Sequence, residues 1–265
     1  MDSPTSPPII VNPLLDRIQM PGETFTLPSG GTLYDPDVLT ADVKNAEIRV
    51  HPMTAIDEII MKTPDMLFSG DAVRDVFKRC IPQVNNIDKM FAKDVDFLLV
   101  CLRKVSYGDE LHIEYTHTCK NAKSHKYTVD VSTFIKTTKR MDPTTVVDDF
   151  TLKLPNAQVV KMQPLSYAEF IRLMQTSDKN LSPEELKTIM VNSLSSVIKA
   201  VDEITDVGMI REWLGRIRPA ELKKINEKID NSVKWGSEFG AKLTCKDCEQ
   251  PMVVETPMNP LSFFT

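Results

Sequence analysis

The residue types with the most specific chemistry are soft metal ligands, set in two short segments far apart in the chain. The first runs Leu111-His-Ile-Glu-Tyr-Thr-His-Thr-Cys119-Lys-Asn-Ala-Lys-Ser-His125-Lys-Tyr-Thr-Val-Asp-Val131, and the second Leu243-Thr-Cys245-Lys-Asp-Cys248-Glu-Gln-Pro-Met-Val-Val254. Each reads as a strand, a tight turn and a returning strand. Cys245-x-x-Cys248 at a hairpin tip is half of a zinc knuckle, because such a turn sets two thiolates at the separation a tetrahedral ion requires. The other donors are concentrated in the first segment. Cys119 and His125 lie at the two ends of one loop, and strand alternation puts His117 on the same face as Cys119. The expected ligand set is Cys119, His125, Cys245 and Cys248, with His117 as a substitute, forming a closed four-coordinate structural zinc site. Ala122 occupies the position of a second cysteine in a paired motif, so thiols packed in a seam without metal are the alternative reading. If the segments meet, everything between residues 119 and 245 is an insertion.

Other chemistry has little support in the residues. The serines show no nucleophile elbow, and there is no phosphate loop, HExxH or dinucleotide fingerprint. The carboxylate pairs Asp94/Asp96 and Asp148/Asp149 read as solvated faces. Cys80 and Cys101 fall within helical stretches and read as small buried hydrophobes. His51 precedes Pro52 in a turn, and His112 falls on the solvent side of its strand. Trp213 and Trp235 read as core or interface anchors. The expectation is a protein that is not an enzyme.

The elements that must position the two hairpins follow from periodicity. Residues 1–20, with prolines at 4, 7, 8 and 13, read as an extended arm. Thr24–Leu27 and Thr32–Tyr34, around Pro28-Ser-Gly-Gly31, predict a hairpin, and Glu47–Val50 predicts a further strand. Thr54 with Asp57 three residues on is an N-cap signal. Helices are expected over 57–61, 69–80 and from about Asp88 to Arg103, the last stopped by Gly108. Thr151–Leu154 and Gln158–Met162 predict another hairpin. From Ser166 the pattern turns helical for about seventy residues. The starts are marked by Ser166/Glu169, Ser182-Pro183, Asp206 and Pro219, and the second of these helices is expected to run on to Ile204. The apolar, proline-punctuated tail Thr256-Pro-Met-Asn-Pro-Leu-Ser-Phe-Phe-Thr265 is expected to dock on its own fold or on a neighbour. The resulting class is α+β, with a small antiparallel sheet covered by helices, an inserted helical bundle and a zinc-ribbon-like pair of hairpins. The expected division is an arm at 1–20, an α+β domain at 21–163, a helical insertion at 164–236, and a hairpin and tail at 237–265 completing the α+β domain.

Composition bounds the partners. Hydrophobic residues make up 42% and charged residues 26% of the 265 positions, the balance of an ordinary globular chain. No run reaches the roughly 18 apolar residues of a membrane helix, and the N-terminus has no basic region followed by an apolar one. Five cysteines without framework spacing fit a reducing compartment rather than a disulfide scaffold. A net charge of −5 supplies no large positive field, which argues against nucleic acid as the main partner.

The order of several short motifs resembles a family of tailed-bacteriophage proteins, the T4-like baseplate hub and baseplate assembly proteins. The motifs are Leu27-Pro-Ser-Gly-Gly-Thr-Leu-Tyr34, Ile48-Arg-Val-His-Pro-Met-Thr-Ala-Ile-Asp-Glu58, the Val73–Cys80 helix, Asp94-Val-Asp-Phe-Leu-Leu-Val-Cys-Leu-Arg103, Ser106-Tyr-Gly108, and the strand into Cys119. The C-terminal CxxC followed by Asn259-Pro-Leu-Ser-Phe-Phe264 is similar to the family's ending. In that family the strand near 119 commonly carries a paired CxxC, which leaves His125 or His117 as the replacement here. The resemblance implies a non-enzymatic component of the virion tail baseplate, present in the host cytoplasm during assembly. It implies hub, wedge or tape-measure proteins as partners. Two alternative functions remain open at this point. One is a hub-assembly chaperone absent from the mature virion, and the other is a zinc-ribbon regulator that binds nucleic acid.

Overall fold

The computed structural model describes residues 21–119, 123–176, 182–255 and 263–264. The expected arm at 1–20 lies outside the described residues, as does the tail apart from Phe263 and Phe264. The architecture is α+β, with helices packed around small antiparallel sheets.

The first core forms around strands β1 (Glu23–Thr26) and β2 (Glu47–Val50), which pair antiparallel with Phe25 opposite Ile48. This replaces the hairpin expected between 24–27 and 32–34, because residues 27–34 are taken up in tight turns. Gly30 and Gly31 adopt φ of 65° and 68°, backbone that glycine reaches without steric cost. These turns are fastened from a distance by Asp94. Its carboxylate accepts the Ser29 backbone N–H at 3.1 Å, the Tyr34 hydroxyl at 2.7 Å and the Ser29 hydroxyl. Asp94 is fully buried, which corrects its reading as part of a solvated face. Burial raises its pKa from 3.8 to about 6, against the three hydrogen bonds that favour the ionised form.

Four helices cover β1 and β2: α1 (Ala55–Met61), α2 (Pro64–Ser69), α3 (Asp71–Cys80) and α4 (Ala92–Tyr107). Helix α1 opens on the expected capping box, with Thr54 and Asp57 satisfying each other's backbone N–H groups. Gly70, at φ 80°, ends α2 and starts α3, and a Cβ there would sit 2.9 Å from Ile171. The pattern of α3 buries Val73, Val76, Phe77 and Cys80, while α4 buries Leu98, Leu99, Cys101 and Leu102. Gly108 closes α4 with its N–H on Lys104 O. Phe263 and Phe264 are buried in the same core, and Arg103 Nε donates to Phe263 O at 2.9 Å. The described part of the tail therefore docks on its own fold.

The chain continues as β3 (Glu110–Thr116) and β4 (Ser124–Asp130), then α5 (Val131–Thr137), which the sequence pattern did not suggest. Asp130 caps α5 by accepting the Ser132 N–H at 2.9 Å. A second core follows. Helix α6 (Val146–Asp149) leads into β5 (Thr151–Lys153) and β6 (Val159–Met162), the expected hairpin. After α7 (Tyr167–Thr176), whose Tyr167 packs on the first core, comes α8 (Pro183–Val197) with a full Ser182/Glu185 capping box. Helix α8 stops at Val197 rather than continuing to Ile204. The segment Ile198–Val201, with a β-branched residue at each end, becomes β7, pairs with β6 and closes a three-stranded sheet. Helices α9 (Val207–Leu214) and α10 (Pro219–Ser232) start at the expected caps and cover that sheet through Ile210, Leu214 and Ile225. This core also contains Val146, Phe150, Leu154, Val160 and Met162, from before residue 164. The last hairpin is β8 (Gly240–Thr244) with β9 (Pro251–Glu255). Ala241 of β8 is buried in the first core, so the chain returns to where it began.

Candidate metal centre

The β3–β4 and β8–β9 hairpins meet at their tips. A small apolar seam of Tyr127, Met252 and Val254 runs between them and includes Cys245. Polar contacts complete the junction. The Lys246 N–H donates to the Tyr127 hydroxyl at 3.3 Å, and Lys246 Nζ donates to Lys126 O at 2.6 Å while lying 5.1 Å from the Tyr127 ring centre. The Lys123 N–H donates to Asp247 Oδ2 at 3.3 Å.

The geometry of the second tip follows from its four-residue turn. The Glu249 N–H closes the turn on Cys245 O at 3.0 Å, and the Cys245 N–H donates to Gln250 O at 3.0 Å. Glu249 takes a left-handed φ of 58° to let the chain return. In this turn the backbone N–H of Cys248 points at the Cys245 sulfur, and against the opposing effect of burial the N–H of Asp247 assists it. These donors hold the Cys245 thiol down at about 6. Cys248 receives the Gln250 N–H, but burial and the neighbouring sulfurs of Cys245 and Cys119 raise its pKa overall.

The first tip supplies the opposite side. The last β3–β4 pair is Thr116 with Ser124, and beyond it the Cys119 N–H folds back onto His117 O at 2.9 Å. This places an imidazole and a thiol two residues apart on one face. His117 Nδ1 lies 3.5 Å from Cys248 Sγ. The donor atoms of His117, Cys119, Cys245 and Cys248 all lie within 4.8 Å of one another, with Cys245 buried and the other three half-buried.

Three of the four cysteine and histidine residues expected as ligands, Cys119, Cys245 and Cys248, are therefore brought together, and the histidine beside them is His117. His125 is not in the group. It is paired opposite Tyr115 in the hairpin register, and its Nε2 lies 2.9 Å from Asp247 Oδ1. That contact lowers the Asp247 pKa. Asp247 is the residue that sequence reasoning passed over. Its position inside the CxxC turn, facing a hairpin that carries histidine, was the available signal. Chemically, three sulfurs and one nitrogen converging across two knuckle-like turns can hold a metal ion.

The fold and this cluster define an α+β protein whose two chain-distant hairpins are clasped by cysteine and histidine. Residues 20–265 match the T4 bacteriophage base plate protein family, and the chain belongs to that family. The baseplate resemblance drawn from the order of short motifs is thereby shown. No curated protein and no solved structure matches the chain. Among the described residues, no helix is long and apolar enough to cross a membrane.

Proposed function

We propose that the protein is a structural, non-catalytic component of the phage tail baseplate, associated with the hub and holding neighbouring tail proteins. The observation that carries this reading is membership of the base plate protein family over nearly the whole chain. Partner contact is supported by apolar side chains that the fold leaves uncovered. Ile56 and Ile59, three residues apart on one face of α1, are 68% and 67% exposed. Phe68 and Met174 are exposed on α2 and α7, which pack together where Gln175 Nε2 bonds Phe68 O. Large exposed apolar groups mark association surfaces when they cluster. Hub, wedge or tape-measure proteins are the partner class, with assembly in the host cytoplasm.

The cysteine–histidine cluster acts in this reading as a structural zinc site, fastening the C-terminal hairpin to the α+β unit. Residues 21–163 and 237–265 form that unit, and 164–236 are carried between them. Support comes from the return of Ala241, Phe263 and Phe264 to the first core, although the second core also draws on residues before 164.

Mass spectrometry of purified virions tests the function. The chain is expected at a fixed ratio to other baseplate proteins. Its presence on assembly intermediates but absence from finished particles would establish the hub-assembly chaperone instead. Salt-dependent DNA binding in a low-salt shift assay would favour the nucleic-acid regulator.

A further inference from the structure

We propose that His117, through Nδ1, is the fourth zinc ligand beside Cys119, Cys245 and Cys248, while His125, engaged by Asp247, stays outside the coordination sphere. This rests on the reading of the cluster as a structural zinc site and names its ligands.

A tetrahedral zinc with Zn–S of about 2.3 Å and Zn–N of about 2.0–2.1 Å has nitrogen–sulfur edges of about 3.5 Å and sulfur–sulfur edges of about 3.8 Å. His117 Nδ1 is 3.5 Å from Cys248 Sγ, and no pair of the four donor atoms is more than 4.8 Å apart. Closing onto the ion asks for inward movement of about 1 Å at most, at the tips of two turns.

His117 and Cys119 project from a turn beyond the last strand pair, where the backbone is free of ladder hydrogen bonds and can adjust. His125 lies inside the ladder, opposite Tyr115, with its ring edge-on to Tyr127. Its position is fixed by the strand.

Asp247 sits between the two cysteines of the knuckle, and its carboxylate reaches both His125 Nε2 and the Lys123 N–H. The turn that presents two sulfurs to the ion therefore also sets a carboxylate 2.9 Å from the alternative histidine's Nε2. Three thiolates and an imidazole in a half-buried tetrahedron select zinc over harder cations.

The test uses the intact chain labelled with nitrogen-15, with zinc added after reduction. Long-range proton–nitrogen correlation should show His117 Nδ1 moving to the metal-bound range at one zinc per chain, with the His125 nitrogens unaffected. Cobalt substitution adds a second readout. His125→Ala should keep the full thiolate-to-cobalt charge-transfer band and the tetrahedral absorption. His117→Ala should weaken metal binding by more than the roughly 10–100-fold that an outer-shell change costs. If metal binds and His125 carries the shift, or His125→Ala abolishes the cobalt spectrum, the assignment is overturned and the zinc reading survives. If neither zinc nor cobalt binds, the zinc reading itself is overturned. The wild-type correlation needs no variant, so it decides the matter even if His117→Ala fails to fold.

Discussion

Two of the junctions that bring chain-distant segments together are built from opposite materials. At the first, Asp94 on α4 captures the 27–34 turn with three hydrogen bonds, surrounded by the continuous apolar packing of α1–α4, β1 and β2. At the second, the buried apolar groups among the described residues are Tyr127, Cys245, Met252 and Val254, with Ile113, Tyr115, Leu243 and the half-buried Cys119 and Cys248 packed against them and polar contacts around. Apolar burial contributes about 25 cal/mol per Å², so the first junction is held by area and the polar capture adds uniqueness. The second rests on a much smaller apolar cluster than the first. A shared ion would supply what packing does not.

This contrast can be broken at several points, and the largest effect is expected in the first core. Phe77→Ala removes a ring that is 1% exposed and should cost about 3–5 kcal/mol in urea unfolding without altering metal content. Asp94→Ala should cost about 2–3 kcal/mol, since it leaves the Ser29 and Tyr34 donors buried without an acceptor. Asp94 also gives a pH signature. Its folded pKa is raised from 3.8 to about 6, so the native state binds the extra proton. Its contribution to stability is fully present below pH 3.8 and is lost as pH rises through about 6. Asp94→Asn should remove that downward slope, measured as the difference between the two proteins' unfolding free energies at intervals across the window. The smallest effect is at a helix start. Thr54→Ala should cost about 1 kcal/mol through loss of the capping box, with the metal site unchanged.

The parts of this structure legible in the sequence are those fixed within a few residues. Thr54/Asp57, Ser182-Pro183 and Asp206 mark helix starts because a cap is a local hydrogen bond, and each is found where the pattern puts it. The CxxC turn is legible for the same reason. Long-range competition is not. β1 pairs with β2 rather than with residues 32–34 because Asp94, sixty residues downstream of Tyr34, takes hold of the intervening turn. Ile198–Val201 carries the helical stripe of α8 onward by composition, yet the free edge of β6 claims it as a strand. Both His117 and His125 flank one loop, and the residue that separates them, Asp247, lies on the other hairpin.

The hairpin clasp is expected to depend on metal, and the helical core is not. Amide hydrogen exchange by mass spectrometry, on the zinc-loaded chain and after chelation under reducing conditions, tests it most directly. Chelation should accelerate exchange in β8, β9 and residues 116–119, while α3 and α4 keep their protection. Equal protection of the clasp with and without metal would contradict the account, as would loss of protection throughout the core.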